Sequence, residues 1–152
     1  MHVKSNRNIR GVAIVEFALV LPVLLILTFV VIEFGRAIYQ YNTLTKSVRD
    51  AVRYLSVQTP DTHITEARNL IVYGNTAGTG NPLALGLTTS HVTTPVWQTS
   101  GTNPVISTVT VQISGYSFVP LVPNVFGRAF ATLPYSNIQA TMRSGLPSGP
   151  AP

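Results

Sequence analysis

Residues 12–35 read VAIVEFALVLPVLLILTFVVIEFG, and the reading of that run decides the fold. Between Phe17 and Ile32 the only polar side chain is Thr28. Wound as a helix, the run of about 24 residues is roughly 36 Å long, enough to cross a hydrocarbon core of about 30 Å with some tilt. Pro22 removes one backbone hydrogen bond and is expected to kink that helix, a change that a membrane span tolerates. Lys4, Arg7 and Arg10 precede the run. Positive residues in that position act as a topology signal and predict a cytoplasmic N-terminus.

The residues beyond the run continue its helix. Ile38, Tyr41, Leu44, Val48, Ala51 and Leu55 recur at spacings of three and four, which marks one apolar face. Lys46, Asp50 and Arg53 fall on the other face, with Lys46 and Asp50 four apart. The expectation is one helix over 12–58, transmembrane over 12–35 and amphipathic over 36–58, stopped by Thr59-Pro60. A cleaved secretory signal is the competing reading. It is disfavoured because the apolar run exceeds a usual signal core and no A-x-A-like site follows it.

Composition limits the function classes. In 152 residues there is room for one small domain and an appendage. Charged residues make up only 10% and hydrophobic ones 45%, against about 25% charged in an ordinary soluble domain. Without cysteine there are no disulfides, no thiolate zinc site and no thiol catalysis. The net charge of +5 is concentrated in the first ten residues and just beyond the apolar run, while residues 69–127 carry no Asp, Glu, Lys or Arg. A nucleic-acid binder spreads a basic stripe over a folded surface, so no nucleic-acid partner is expected.

Two carboxylates break the apolar pattern. Glu16 lies near the start of the run, where an unpaired carboxylate costs a few kcal/mol. Glu33 lies near its far end, where the interface is within reach, and faces Arg36 at i, i+3 as a local ion pair.

The stretch Arg10-Gly11-Val12-Ala13-Ile14-Val15-Glu16-Phe17 resembles a type IV prepilin processing site. Such proteins carry a short basic leader ending in Gly, a prepilin peptidase cuts after it, and a Glu stands fifth in the mature chain. Counted from Val12, Glu16 is fifth, and the Glu16-Phe17 pair resembles that of the Flp subclass. Glu33-Phe34-Gly35-Arg36 and Ala51-Val52-Arg53-Tyr54 extend the likeness to TadE-like minor pilins of Flp/Tad tight-adherence systems. Val52 stands where a small residue is expected. Val109-Thr110-Val111, Pro120-Leu121-Val122-Pro123 and Ala140-Thr141-Met142-Arg143 resemble the same family more loosely.

The resemblance implies a cytoplasmic leader over 1–11 cut between Gly11 and Val12. It further implies a structural role in assembling or initiating an adhesive pilus. The implied partners are the prepilin peptidase, the major and other minor pilins, the inner-membrane assembly platform and membrane lipid. The implied place is the bacterial inner membrane, or a pilus built from it. Cleavage would free the Val12 α-amine, whose pKa near ~8 leaves it largely charged. In a bundle, Glu16 of one subunit can pair with the Val12 amine of its neighbour, and the pairing offsets the desolvation of both. The alternative is an uncleaved, signal-anchored extracytoplasmic binding domain in which Glu16 is incidental.

Residues 59–145 are expected to form a small extracytoplasmic α+β domain that completes its core on the amphipathic helix, followed by a disordered tail over 146–152. A short helix is predicted over 63–73, capped by Asp61 or Thr62 and stopped at Gly74-Asn75. Residues 76–81 read as loop. Strands are predicted over His91–Gln98, Val105–Tyr116 and Ser136–Met142, with Ser100–Pro104 turning the first two into a hairpin and Gly115 at a bulge.

Enzyme chemistry finds no foothold. Asp61-x-His63-x-x-Glu66 reads as a helix start, not a metal site, for want of further ligands. His91 is isolated, and Gly78-x-Gly80 lacks the context of a dinucleotide loop. Trp97, Tyr116 and Phe118 read as core and not as a ligand platform. No nucleophile–base pair, cofactor motif or small-molecule site is evident, so the chain is expected not to be an enzyme and to need no cofactor.

Overall fold

A computed structural model describes residues 7–129 and 132–146. Lys4 and residues 147–152 of the expected tail lie outside the described residues, as do the side chains of Arg7 and Arg10. The architecture is α+β: a long N-terminal helix and a small antiparallel sheet. Helix α1 spans Arg7–Ser56 and runs through Pro22, ending two residues short of the expected Gln58.

The chain falls into two compact units. Of the described residues, one comprises 7–36 and 120–129, the other 37–119 and 132–146. Within the second unit, Leu44, Val48, Ala51, Val52 and Leu55 of α1 are fully buried with Ile71, Leu87, Val109, Val111 and Ile113. The distal segment does complete its core on the helix. The buried face differs from the expected one at its start, because Ile38 is 49% exposed and Tyr41 39%. Ala37 and Gln40 are buried instead, and the seam runs 37, 40, 44, 47, 48, 51 and 55. Gln40 is polar, so counting apolar residues alone set the start of the stripe at Ile38 and Tyr41, one position off, while Leu44, Val48, Ala51 and Leu55 lie on the seam as expected.

Helix α2 spans Ile64–Tyr73, and Gly74 ends it in the left-handed region (φ 75), its N–H bonded to the Leu70 carbonyl at 3.0 Å. Neither Asp61 nor Thr62 caps its start. The N-cap is His63, itself left-handed (φ 56) and without a side-chain cap bond. The Thr62 hydroxyl is used in the preceding turn, where it donates to the Thr59 carbonyl at 2.6 Å.

Strands β1 (Val96–Ser100) and β2 (Ile106–Ile113) form the expected hairpin. Short strands β3 (Ser117–Phe118), β4 (Asn124–Val125), β5 (Arg128–Ala129) and β6 (Leu133–Pro134) follow, then β7 (Ile138–Arg143). The main sheet has the order β1-β2-β7, all antiparallel, with Val109 opposite both Trp97 and Met142. Val109, Val111 and Ile113 alternate inward as a half-buried strand requires.

Three strand expectations are corrected. The first strand starts at Val96, directly after Pro95, which has no N–H for a ladder. Residues Thr89–His91 instead form a 3₁₀ turn, and Val92 makes an isolated bridge to Ile113. The last strand covers Ile138–Arg143 and not Ser136–Met142. Gly115 (φ 71) is no bulge, because β2 has already ended at Ile113.

Candidate functional site on the N-terminal helix

The positions singled out for processing and assembly lie on a bare helix. Residues 11–20 are exposed throughout, Val12 by 67% and Phe17 by 64%, with Glu16 among them. Gly11, Val12, Glu16, Phe17 and Pro22 are all within α1. A Cβ added to Gly11 would meet nothing within 4 Å, so its lack of a side chain answers no packing need. A mid-helix glycine weakens the helix by about 1 kcal/mol relative to Ala, at Gly11 as at Gly35. The helix from Gly11 to Ser56 is long and apolar enough to cross a membrane, and the apolar part of it is unburied.

Glu33 behaves otherwise than expected. The i, i+3 ion pair with Arg36 is present. The carboxylate is also covered by its own chain, Glu33 being only 7% exposed. Its Oε1 accepts hydrogen bonds from the backbone N–H of Leu121 at 3.2 Å and of Val122 at 3.4 Å. Pro120 and Pro123 flank this pair and have no N–H, so both amide donors of the tetrapeptide point at one oxygen. Glu33 thus has its second oxygen on Arg36 and its first on a loop, which is how a buried carboxylate is made affordable.

An aromatic clasp in the second unit was missed by the sequence. Tyr135 Oη donates to the Ala37 carbonyl at 2.6 Å, and its ring meets Tyr41 edge-on at 5.5 Å and Tyr116 at 5.8 Å. Tyr116 Oη accepts from Gln40 Nε2 at 2.9 Å and donates to the Leu85 carbonyl at 2.8 Å. His91 stacks edge-on against Tyr116, and its Nδ1 accepts from the Thr88 N–H at 3.2 Å. Tyr116 and Phe118 are buried, and Trp97 packs against the same core, so these aromatics are used in packing. The only advance signal for the clasp was that three tyrosines lie in otherwise uncharged stretches.

His63 Nδ1 stands 3.4 Å from both Glu66 Oε1 and Tyr54 Oη, an exposed chain of weak contacts. Among the described residues no three His, Cys, Asp or Glu side chains gather as a metal site would need.

No curated protein and no solved structure matches the chain. The C-terminal motifs at Val109, Pro120 and Ala140 are not covered by any comparison. A protein-family model described as TadE-like protein matches residues 11–53, so over that stretch, which is most of α1, the chain is similar to TadE-like proteins.

Proposed function

We propose that the chain is a structural minor pilin of a Flp/Tad-type pilus system. The observation that carries this reading is the coincidence of the TadE-like match with the bare apolar half of α1. A helix with that much uncovered apolar surface needs either lipid or neighbouring helices around it. Lys4, Arg7 and Arg10 keep the N-terminus in the cytoplasm, and the C-terminal part is extracytoplasmic. A prepilin peptidase cuts between Gly11 and Val12. In the assembled bundle Glu16 of one subunit pairs with the new Val12 amine of the next, while Phe17 packs beside it. A slipped register leaves that carboxylate unpaired, so the pair sets register as well as adding attraction. The role is assembly or initiation of an adhesive pilus and not catalysis. Its partners are the peptidase, the major and other minor pilins and the inner-membrane platform.

The test is N-terminal sequencing or intact mass of the chain from its native membrane, with and without the peptidase. A chain that begins at Val12 only when the peptidase is present supports the reading. A chain still beginning at Met1 overturns it in favour of a signal-anchored domain, and cleavage beyond Gly35 would mean a secreted protein.

A further inference from the structure

Four observations in the first compact unit converge on residues 120–129. The Leu121 and Val122 amides are bonded to Glu33, at the end of the apolar run, so this loop is held at the level where α1 leaves the apolar span. Leu25, Ile26 and Phe29 are only partly exposed, unlike most of their neighbours, and share a face with Glu33 at spacings of three and four. They lie up to eight residues before it, about 12 Å deeper along the helix. The hairpin β4–β5 buries Val125 to 7% exposure but leaves Phe126 64% and Leu121 62% exposed. Finally, Phe126 and Gly127 form the two-residue turn with φ 47 and 75. Both positions of such a turn ordinarily take Asn, Asp or Gly, and a bulky aromatic there is strained. A phenylalanine held at an exposed tip against its backbone preference points to an apolar partner outside the chain.

We infer that this loop is a membrane-interface anchor, with Phe126 and Leu121 inserted at the headgroup–acyl boundary of the bilayer that α1 crosses. The inference rests on α1 spanning the membrane, as proposed above. The occupant is lipid because the loop is tied to the end of the apolar span itself. The remaining chemistry suits that boundary. The hairpin backbone is paired, Asn124 is polar and exposed, and Arg128 is exposed and long enough to extend its guanidinium toward phosphate. Irregular backbone of this kind is excluded from the hydrocarbon centre but not from the interface.

The native chain has no cysteine, so single cysteines report cleanly. Phe126→Cys, Leu121→Cys, Leu27→Cys and Val57→Cys are each labelled with an environment-sensitive fluorophore. The full chain is reconstituted at low density in phosphatidylethanolamine–phosphatidylglycerol vesicles. Shallow and deep spin-labelled lipids are then used as quenchers. The expected result is a blue-shifted Phe126 probe quenched more by the shallow than by the deep lipid, Leu121 likewise, Leu27 quenched by the deep lipid and Val57 unquenched. Quenching at Leu27 with Phe126 and Leu121 as unquenched as Val57 overturns the anchor and leaves the membrane span standing. That result would assign the exposed Phe126 to a protein neighbour. Absence of quenching at Leu27 overturns the span, and the anchor with it.

Discussion

Glu33 and Leu121 lie 88 residues apart in the chain and are joined by a hydrogen bond of 3.2 Å from the Leu121 amide to the Glu33 carboxylate. The same oxygen takes the Val122 amide, and the other oxygen takes Arg36. One acidic residue at the end of the apolar run therefore organises both its own helix turn and a distant loop. Hydrogen bonds to a charged group contribute about 1.5–3 kcal/mol each. Glu33→Ala is expected to speed hydrogen exchange at the Leu121 and Val122 amides by at least tenfold while the amides of β2 keep their protection. Glu33→Gln, which retains an acceptor oxygen, is expected to fall between. Equal exchange in all three proteins would show that the carboxylate does not hold the loop.

The proposed assembly role makes Glu16 and Glu33 separable. Glu16 is exposed on a bare helix and bonded to nothing in its own chain among the described contacts, whereas Glu33 is buried and fully engaged. Glu16→Val is expected to leave membrane insertion and removal of the leader intact but to abolish incorporation into pili. The comparison to make is the amount of processed chain in the membrane fraction against the amount in sheared pili. Normal incorporation of Glu16→Val would remove the register argument.

Cleavage itself is expected to depend on Gly11. Gly11→Ala adds a methyl that meets no neighbour, so it does not disturb packing. It stabilises the local helix by about 1 kcal/mol and puts a side chain at the bond that the proposed peptidase would have to reach. Immunoblotting should then show the unprocessed form accumulating, with the same total amount of chain. Full processing of the alanine variant would argue that Gly11 is not read at all.

Much of this organisation was legible in the residues. The long helix followed from the unbroken apolar run, and the hairpin β1–β2 from alternation around Gly101, where φ is +89 and a Cβ would lie 2.7 Å from the Pro104 carbonyl oxygen. The failures have a common physical origin. Ser47 turns its hydroxyl onto the Leu44 carbonyl of its own helix, while Gln40 and Glu33 are buried with partners 76 and 88 residues away, Gln40 Nε2 donating to the Tyr116 hydroxyl and Glu33 Oε1 accepting from the Leu121 amide. Partners so distant in sequence leave no trace in local periodicity. The stripe was therefore drawn through Ile38, and the burial of Glu33 under a loop was missed. The hairpin β4–β5 was missed for a related reason: a Phe-Gly turn carries none of the Asn-Gly signal by which short hairpins are read.

The buried seam gives the last prediction. Leu55 is fully buried and Ile38 is 49% exposed, although both sit on the apolar stripe drawn from the sequence. Large-to-small changes in a packed core cost the lost transfer energy plus the cavity, about 2–5 kcal/mol for Leu to Ala. A domain of this size holds only about 5–15 kcal/mol in total. Leu55→Ala is therefore expected to lower the unfolding midpoint of the detergent-solubilised chain by roughly 10 °C or more, at about 4–8 °C per kcal/mol for a small domain. Ile38→Ala leaves no buried cavity and is expected to shift it by no more than a few degrees. Tyr135→Phe removes one hydroxyl, the donor to the Ala37 carbonyl, and is expected to fall between the two, at about 1 kcal/mol. The order Leu55, Tyr135, Ile38 in thermal scans checks the seam. A larger effect at Ile38 than at Leu55 would mean that the helix presents the other face to its core.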